Sequence, residues 1–121
     1  MINNNYLMGL AQLMNGESYT IPSYLAFGST TGTLTAADTV TSGEFDRNIL
    51  SSTPRSGTVA KFVGSRSAAE ANSEVVNVVS LVNASGLGGS GDVQSNFLVA
   101  SLIHTTSFDV DVEFWVEHKR G

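Results

Sequence analysis

The sequence predicts a mainly β protein, an antiparallel sandwich of two sheets with one short N-terminal helix, and three observations carry that reading. From Ser107 to Arg120, Phe108, Val110, Val112, Phe114 and Val116 alternate with Asp109, Asp111, Glu113, Trp115 and Glu117. A period of two puts alternate side chains on opposite faces of a strand, one packed and one wet. Glu74 to Val82 is apolar at both parities, which marks a central strand buried on both faces. Further strand-like runs are separated by Gly, Ser, Pro and Asn at the spacing expected of a sandwich. At 121 residues, one domain is expected, with residues 1–18 helical and residues 19–118 forming the sandwich. The last strand runs almost to the final residue, so the chain end is expected to be tied into a sheet.

Taken in order, Asn4 or Asn5 is placed to cap a helix, because an Asn side chain accepts from the unpaired N–H groups of a first turn. Tyr6, Leu7, Met8, Leu10, Ala11, Leu13 and Met14 follow, and Asn15-Gly16 is a stop signal. Leu7, Leu10, Ala11 and Met14 share one face, widened by Tyr6 and Leu13. A helix of about ten residues is marginal alone, so it must dock, on its own sheet in preference to a partner. Tyr19 to Phe27 reads as extended, with Pro22 at an edge or entry position. Gly28 to Gly43 is a Thr/Ser/Gly loop interrupted by Leu34 and Val40. Glu44 to Ser51 and Gly57 to Ser65 read as two strands joined around Thr53-Pro54-Arg55-Ser56-Gly57. Ser67-Ala68-Ala69-Glu70 has the form of a capping box opening a turn or two. Asn83 to Asn96 reads as a Gly/Ser loop and Phe97 to Thr105 as a second strongly apolar strand. In this register Phe108, Val110, Val112, Phe114 and Val116 point inward beside Val76, Val78, Leu98 and Leu102, and Asp109 and Asp111 point outward.

The apolar fraction of 41% suffices for a core, whereas the charged fraction of 14% is low against about 25% in ordinary globular proteins. Ser, Thr, Asn and Gly take the place of charge, a surface suited to lying against other subunits. A net charge of −5 argues against sequence-independent nucleic-acid binding, which needs Lys and Arg to replace counterions. No polybasic run is present to hold an anionic membrane, and no apolar run approaches the roughly 20 residues that span a bilayer. With no cysteine, a disulfide framework, a thiolate zinc site and a cysteine nucleophile are excluded. Met1-Ile2-Asn3-Asn4-Asn5 lacks the basic opening of a secretory signal, and synthesis in the cytosol is expected.

Several motifs are weaker than they look. Gly86-Leu87-Gly88-Gly89-Ser90-Gly91 matches G-x-G-x-x-G, but a dinucleotide site needs a helix directly after it, and strand-like Phe97-Leu98-Val99 follows instead. Asp109, Asp111 and Glu113 lie about 7 Å apart per two-residue step along a strand, too dispersed for calcium. They read as a solvated face, or as partners for Lys61, Arg47 or Arg66 on neighbouring strands. His104 and His118 stand alone, without zinc-pair spacing. A hydrolase would need one of them in a cleft beside Ser and a carboxylate, and no G-x-S-x-G elbow is present. Asn83-Ala84-Ser85 fits the glycosylation sequon, a chance match without a secretory signal. No cofactor and no metal is expected.

Longer strings carry a resemblance. Tyr24-Leu25-Ala26-Phe27-Gly28-Ser29-Thr30-Thr31-Gly32, Ala36-Ala37-Asp38-Thr39 and Glu44-Phe45-Asp46-Arg47 resemble the opening of a β-sandwich module of tailed-phage virion proteins. Glu70-Ala71-Asn72 is similar to that module's Glu-Ala-Asn-Gly turn, with Ser73 in place of Gly. Leu81-Val82-Asn83-Ala84 resembles its Leu-Phe-Asn-Ala strand end, with Ser80 where a Gly usually stands. Thr105 to Val116 is similar to its final alternating strand. The likeness covers about residues 19 to 118.

The resemblance implies a non-enzymatic virion structural protein, made in the host cytoplasm and carried on the exterior of a capsid or tail. The first expectation is a capsid decoration (cement) protein that binds the major capsid protein lattice and copies of itself. The alternative is a tail-fibre, baseplate or receptor-binding accessory, although no shaft repeat or coiled coil is present. Neither reading involves nucleic acid or membrane. Candidate partner contacts are Leu7, Leu10 and Met14 on the helix, Thr31 and Leu34 in the first long loop, and Leu87 in the second.

Overall fold

The computed structural model describes residues 1–86 and 93–119. The N-terminal apolar run forms α1, Asn4–Met14, ended by Asn15 and by Gly16 at φ +74, the left-handed conformation that glycine adopts without a Cβ penalty. Its cap differs from expectation. Asn3, not Asn4 or Asn5, occupies the N-cap, and its side chain turns away to donate to the Asp38 carbonyl at 3.0 Å. That long-range bond wins over local capping because Asn3 is buried where the chain start meets the first long loop.

Among the described residues seven strands follow: β1 Tyr24–Gly28, β2 Asp46–Ile49, β3 Arg55–Ser56, β4 Val59–Arg66, β5 Glu74–Val82, β6 Val93–His104 and β7 Val110–Glu117. They form two antiparallel sheets, β2-β1-β5-β6 and β3-β4-β7. The two-sheet antiparallel architecture with one N-terminal helix is the one predicted. β1 is shorter than the expected Tyr19 to Phe27. β2 and β4 are not a hairpin: they lie in different sheets, and Ser51 and Ser52 carry the chain across with hydrogen bonds to Val63. The hairpin is β3–β4, turning at Gly57 with φ +58. Ser67 to Glu70 realises the capping box, the Glu70 carboxylate accepting from the Ser67 N–H at 3.0 Å and its hydroxyl at 3.1 Å.

The core lies where β1 and β5 face β4 and β7. Leu25, Phe27, Val76, Val79 and Leu81 pack there with Phe62, Phe114 and Val116. β5 is central and buried almost throughout, as its two-faced apolar pattern requires. Phe114 and Val116 are buried, Val110 and Val112 half-buried, and Asp111, Glu113, Trp115 and Glu117 exposed, so the register of β7 is the predicted one. Phe108 is the exception. It precedes β7, is exposed, and rests against the His104 ring with centroids 5.2 Å apart. Within β5, Ser80 is fully buried and its hydroxyl has no partner among the described residues.

Gly64 sets how closely the sheets approach. A Cβ there would stand 2.6 Å from Leu25 Cδ1 and 3.2 Å from its Cγ. Gly64→Ala is expected to destabilise by about 1–3 kcal/mol through overpacking, read as a lower urea midpoint at unchanged slope. The companion Leu25→Val in the same chain should recover part of the loss by restoring space.

Candidate functional site

β6 departs most from expectation. It begins at Val93, inside the segment read as loop, and Val93 to Asn96 are buried. Beyond them Phe97 to Ile103 are all exposed, where Leu98 and Leu102 were expected to point into the core. The reason is topological. β6 is the outer strand of its sheet, and no strand of the other sheet covers its second half. The ladder to β5 is also broken there, Val99, Ala100 and Ser101 standing opposite Asn77 alone. A bulge of this kind bends the strand and increases its twist.

The sheets therefore meet closely at β1 and β4 and part at β6 and β7. Between those outer strands lies an apolar groove of about 650 Å³, floored by Val76 and Val79. Phe97 and Phe114 stack across its base with centroids 5.2 Å apart and planes tilted by 49°. One wall is Phe97 and Val99 to Leu102 of β6; the other is β7, with Asp111, Glu113 and Trp115 at the rim. Trp115 is 64% exposed and carries Lys61 Nζ 4.5 Å from its ring centroid. An exposed apolar surface of this extent marks an interaction site more often than it marks idle surface.

The second unpartnered surface is on α1. The helix docks through Tyr6, Gly9 and the half-buried Leu10. Tyr6 Oη bonds His118 Nε2 at 2.7 Å. The Tyr19 ring lies against Gly9, and its hydroxyl donates to Gln94 Oε1. Burial pushes the Tyr6 hydroxyl up, and burial followed by the neighbouring Tyr6 pushes Tyr19 up to about 12, so both stay protonated donors at neutral pH. The stripe Leu7, Ala11 and Met14 consequently faces away from the body, Leu7 57% and Met14 86% exposed. The face expected to dock on the sheet is the one left open, apart from Leu10 at its margin.

The first long loop is fastened to the start of α1. Asn4 N donates to the Ala36 carbonyl at 2.8 Å, and Asp38 accepts from the Thr35 N–H and hydroxyl, both at 2.9 Å. The backbone hydrogen bond from Thr35 holds the Asp38 carboxyl below its ordinary value. Asn77 clamps the other end, exchanging bonds of 2.8 and 2.7 Å with the Thr30 backbone. Among the candidate contacts, Thr31 is exposed and Leu34 half-buried. Leu87, with the rest of the glycine motif after Gly86, lies outside the described residues.

Two arginines are used inside. Arg47 is buried in a two-pronged pair with Glu44 and donates to the Ala84 carbonyl at 2.7 Å. Arg66 reaches Asp46 Oδ2 at 2.7 Å, His104 Nδ1 at 2.8 Å and the Glu70 carbonyl at 2.9 Å. Glu74 Oε2 lies 3.9 Å from Arg66 Nη2, an ion pair without a hydrogen bond. In the β7 acidic row Asp111 and Glu113 are exposed, the solvated-face alternative of the two expected. Asp109 instead accepts from the Ala68 N–H at 2.7 Å. Both histidines have hydrogen-bond partners. His104 Nε2 meets the Phe108 carbonyl at 2.9 Å, so a proton on Nε2 with Nδ1 accepting from Arg66 satisfies both contacts. Among the described residues no three His, Cys, Asp or Glu side chains converge as metal ligands. Among the described residues no helix is long and apolar enough to cross a membrane.

The chain matches no protein-family model, no curated protein and no solved structure.

Proposed function

We propose that this chain is a non-enzymatic structural protein of a phage virion, a decoration protein that binds the major capsid protein lattice from outside and cements it. The observation that carries the reading is the outward stripe Leu7, Ala11 and Met14 on a helix with no charged side chain between Met1 and Gly16. Burying neutral surface against a protein partner incurs far less desolvation cost than burying charge. The resemblance of residues 19 to 118 to a virion sandwich module supplies the setting. The work is association without turnover: a protein that binds only the assembled lattice stabilises it by mass action.

Particles lacking the protein are expected to assemble but to rupture at lower temperature, and added purified protein should rebind at fixed stoichiometry and restore them. Leu7→Asp with Met14→Asp should cut particle binding at least about tenfold, the equivalent of about 1.4 kcal/mol. Both residues are exposed, so melting of the free protein should change little. Unaltered particle stability with lost adsorption to cells would replace the cement reading with a tail or receptor-binding accessory.

A further inference from the structure

We propose that two copies of this chain pair through β6, the exposed run Phe97–Ile103 of each packing against the β6–β7 groove of the other about a two-fold axis at Ala100. This goes beyond lattice binding and does not rest on it, since the contact is between copies and uses a different face.

Charge selects the partner. Val93 to Ile103 contains no Asp, Glu, Lys or Arg in a chain of net charge −5. Natural edge strands are usually blunted by a charge or a proline, and this one carries neither. An ionic partner would find nothing to pair with along it. A second copy of an acidic protein can approach only where like charges are absent, and β6 provides that. Pairing through β7 would instead bring Asp111, Glu113 and Glu117 against their own counterparts, which is unfavourable.

The run is also complementary to itself. A two-fold contact presents the same patch from both sides and sets the strands antiparallel. With Ala100 on the axis, Val99 comes opposite Ser101 of the other copy, and the groove-lining Phe97 and Leu102 lie to either side of it. Small side chains at the centre permit close approach, and large apolar ones at both ends reach the partner's groove. Met1 to Asn3 already occupy the start of the strand, where Ile2 bridges Ser95 and Asn96 N donates to the Met1 carbonyl. The free length therefore begins at Phe97.

Area is sufficient. A stable interface takes about a tenth of a small protein's surface, roughly 700 Å² of the 6725 Å² here. Phe97, Val99 and Leu102, 36–45% exposed, and Trp115 at 64% supply the part that lines the groove, and Leu98 and Ile103, 51% and 58% exposed, add surface beside it. The bulge at Val99–Ser101 interrupts the regular ladder, so the contact rests mainly on side chains and closes as a pair instead of templating an open-ended sheet.

Sedimentation of the full chain near about 10 μM, a concentration at which a low-micromolar Kd is visible, is expected to give twice the monomer mass of 12.7 kDa. Ala100→Lys and Ala100→Glu each place like charges across the axis and should be monomeric with unchanged circular dichroism. Their equimolar mixture should regain the dimer. Ile49→Lys, at an exposed position of β2 at the opposite end of that sheet, should leave the dimer intact. In the wild type, the single Trp115 should shift its emission to shorter wavelength as concentration rises, a readout that needs no variant. A monomer at every concentration with constant emission overturns the proposal, and so does an Ala100→Lys dimer or a mixture that stays monomeric. A wild-type monomer that still binds particles would remove the copy-to-copy contact while leaving the cement role standing.

Discussion

Phe114→Ala is expected to lower stability by about 3–5 kcal/mol, the range for truncating a buried phenylalanine. Phe114 is 4% exposed, lies opposite Phe62 across the β4–β7 ladder and stacks on Phe97 at the base of the groove. Removing the ring deletes packing on three sides at the point where the two sheets begin to part. The surroundings cannot close over the gap easily, because β4 and β7 are held in register from Val59–Glu117 to Arg66–Val110. Glu113→Ala, one residue away on the exposed face, should cost less than about 0.5 kcal/mol. Urea denaturation of the two variants, compared at common slope, reads the difference. Equal shifts would mean that β7 does not present the face assigned to it.

That alternation was legible because β7 has one dry face and one wet face, so the sequence period equals the burial period. β5 was legible for the opposite reason, being apolar at both parities and central in its sheet. β6 misled for a related reason. Phe97-Leu98-Val99-Ala100-Ser101-Leu102-Ile103 has the composition of a central strand, and apolar composition reports that surface would be buried, not by what. Only the strand order, with β6 outermost, shows that no further strand among the described residues lies beyond it. The same ambiguity governs α1. Leu7, Leu10, Ala11 and Met14 form the apolar stripe, yet Gly9 and Tyr6 dock the helix, because the Tyr19 ring requires a position without a side chain to lie against. A glycine within a helix signals such close approach, and it was the one clue available. The candidate contacts Leu7 and Met14 thus came from a correct stripe and an incorrect expectation of where the stripe would face. The Arg66 cluster gave no local signal, since Asp46, Arg66, Glu74 and His104 belong to four different strands and meet only once both sheets are in place.

Arg66→Ala is the second large effect expected, about 3–5 kcal/mol, the cost of breaking a buried charge cluster by removing one partner. Arg66 is 3% exposed and spends three separate donors on Asp46, His104 Nδ1 and the Glu70 carbonyl, with its guanidinium 5.1 Å from the Phe45 ring centroid. The variant leaves His104, which is fully buried, with an acceptor nitrogen lacking its donor. It also leaves Asp46 and Glu74 as neighbouring carboxylates without the cation between them. The orphaned His104 nitrogen alone costs about 1–3 kcal/mol because it stays dry, and the partly exposed Asp46 and Glu74 add less. Arg66→Lys should recover only part of the loss, because a single ammonium cannot reach in the three directions that the guanidinium fork spans. Arg55→Ala, at an exposed arginine in β3, is the matched control and should cost less than about 0.5 kcal/mol. Because the cluster is shielded, the Arg66→Ala penalty should persist with little change when salt is raised from low to high concentration. A penalty below about 1 kcal/mol, or one abolished by salt, would show that Arg66 behaves as a surface ion pair and that the two sheets are not joined through it.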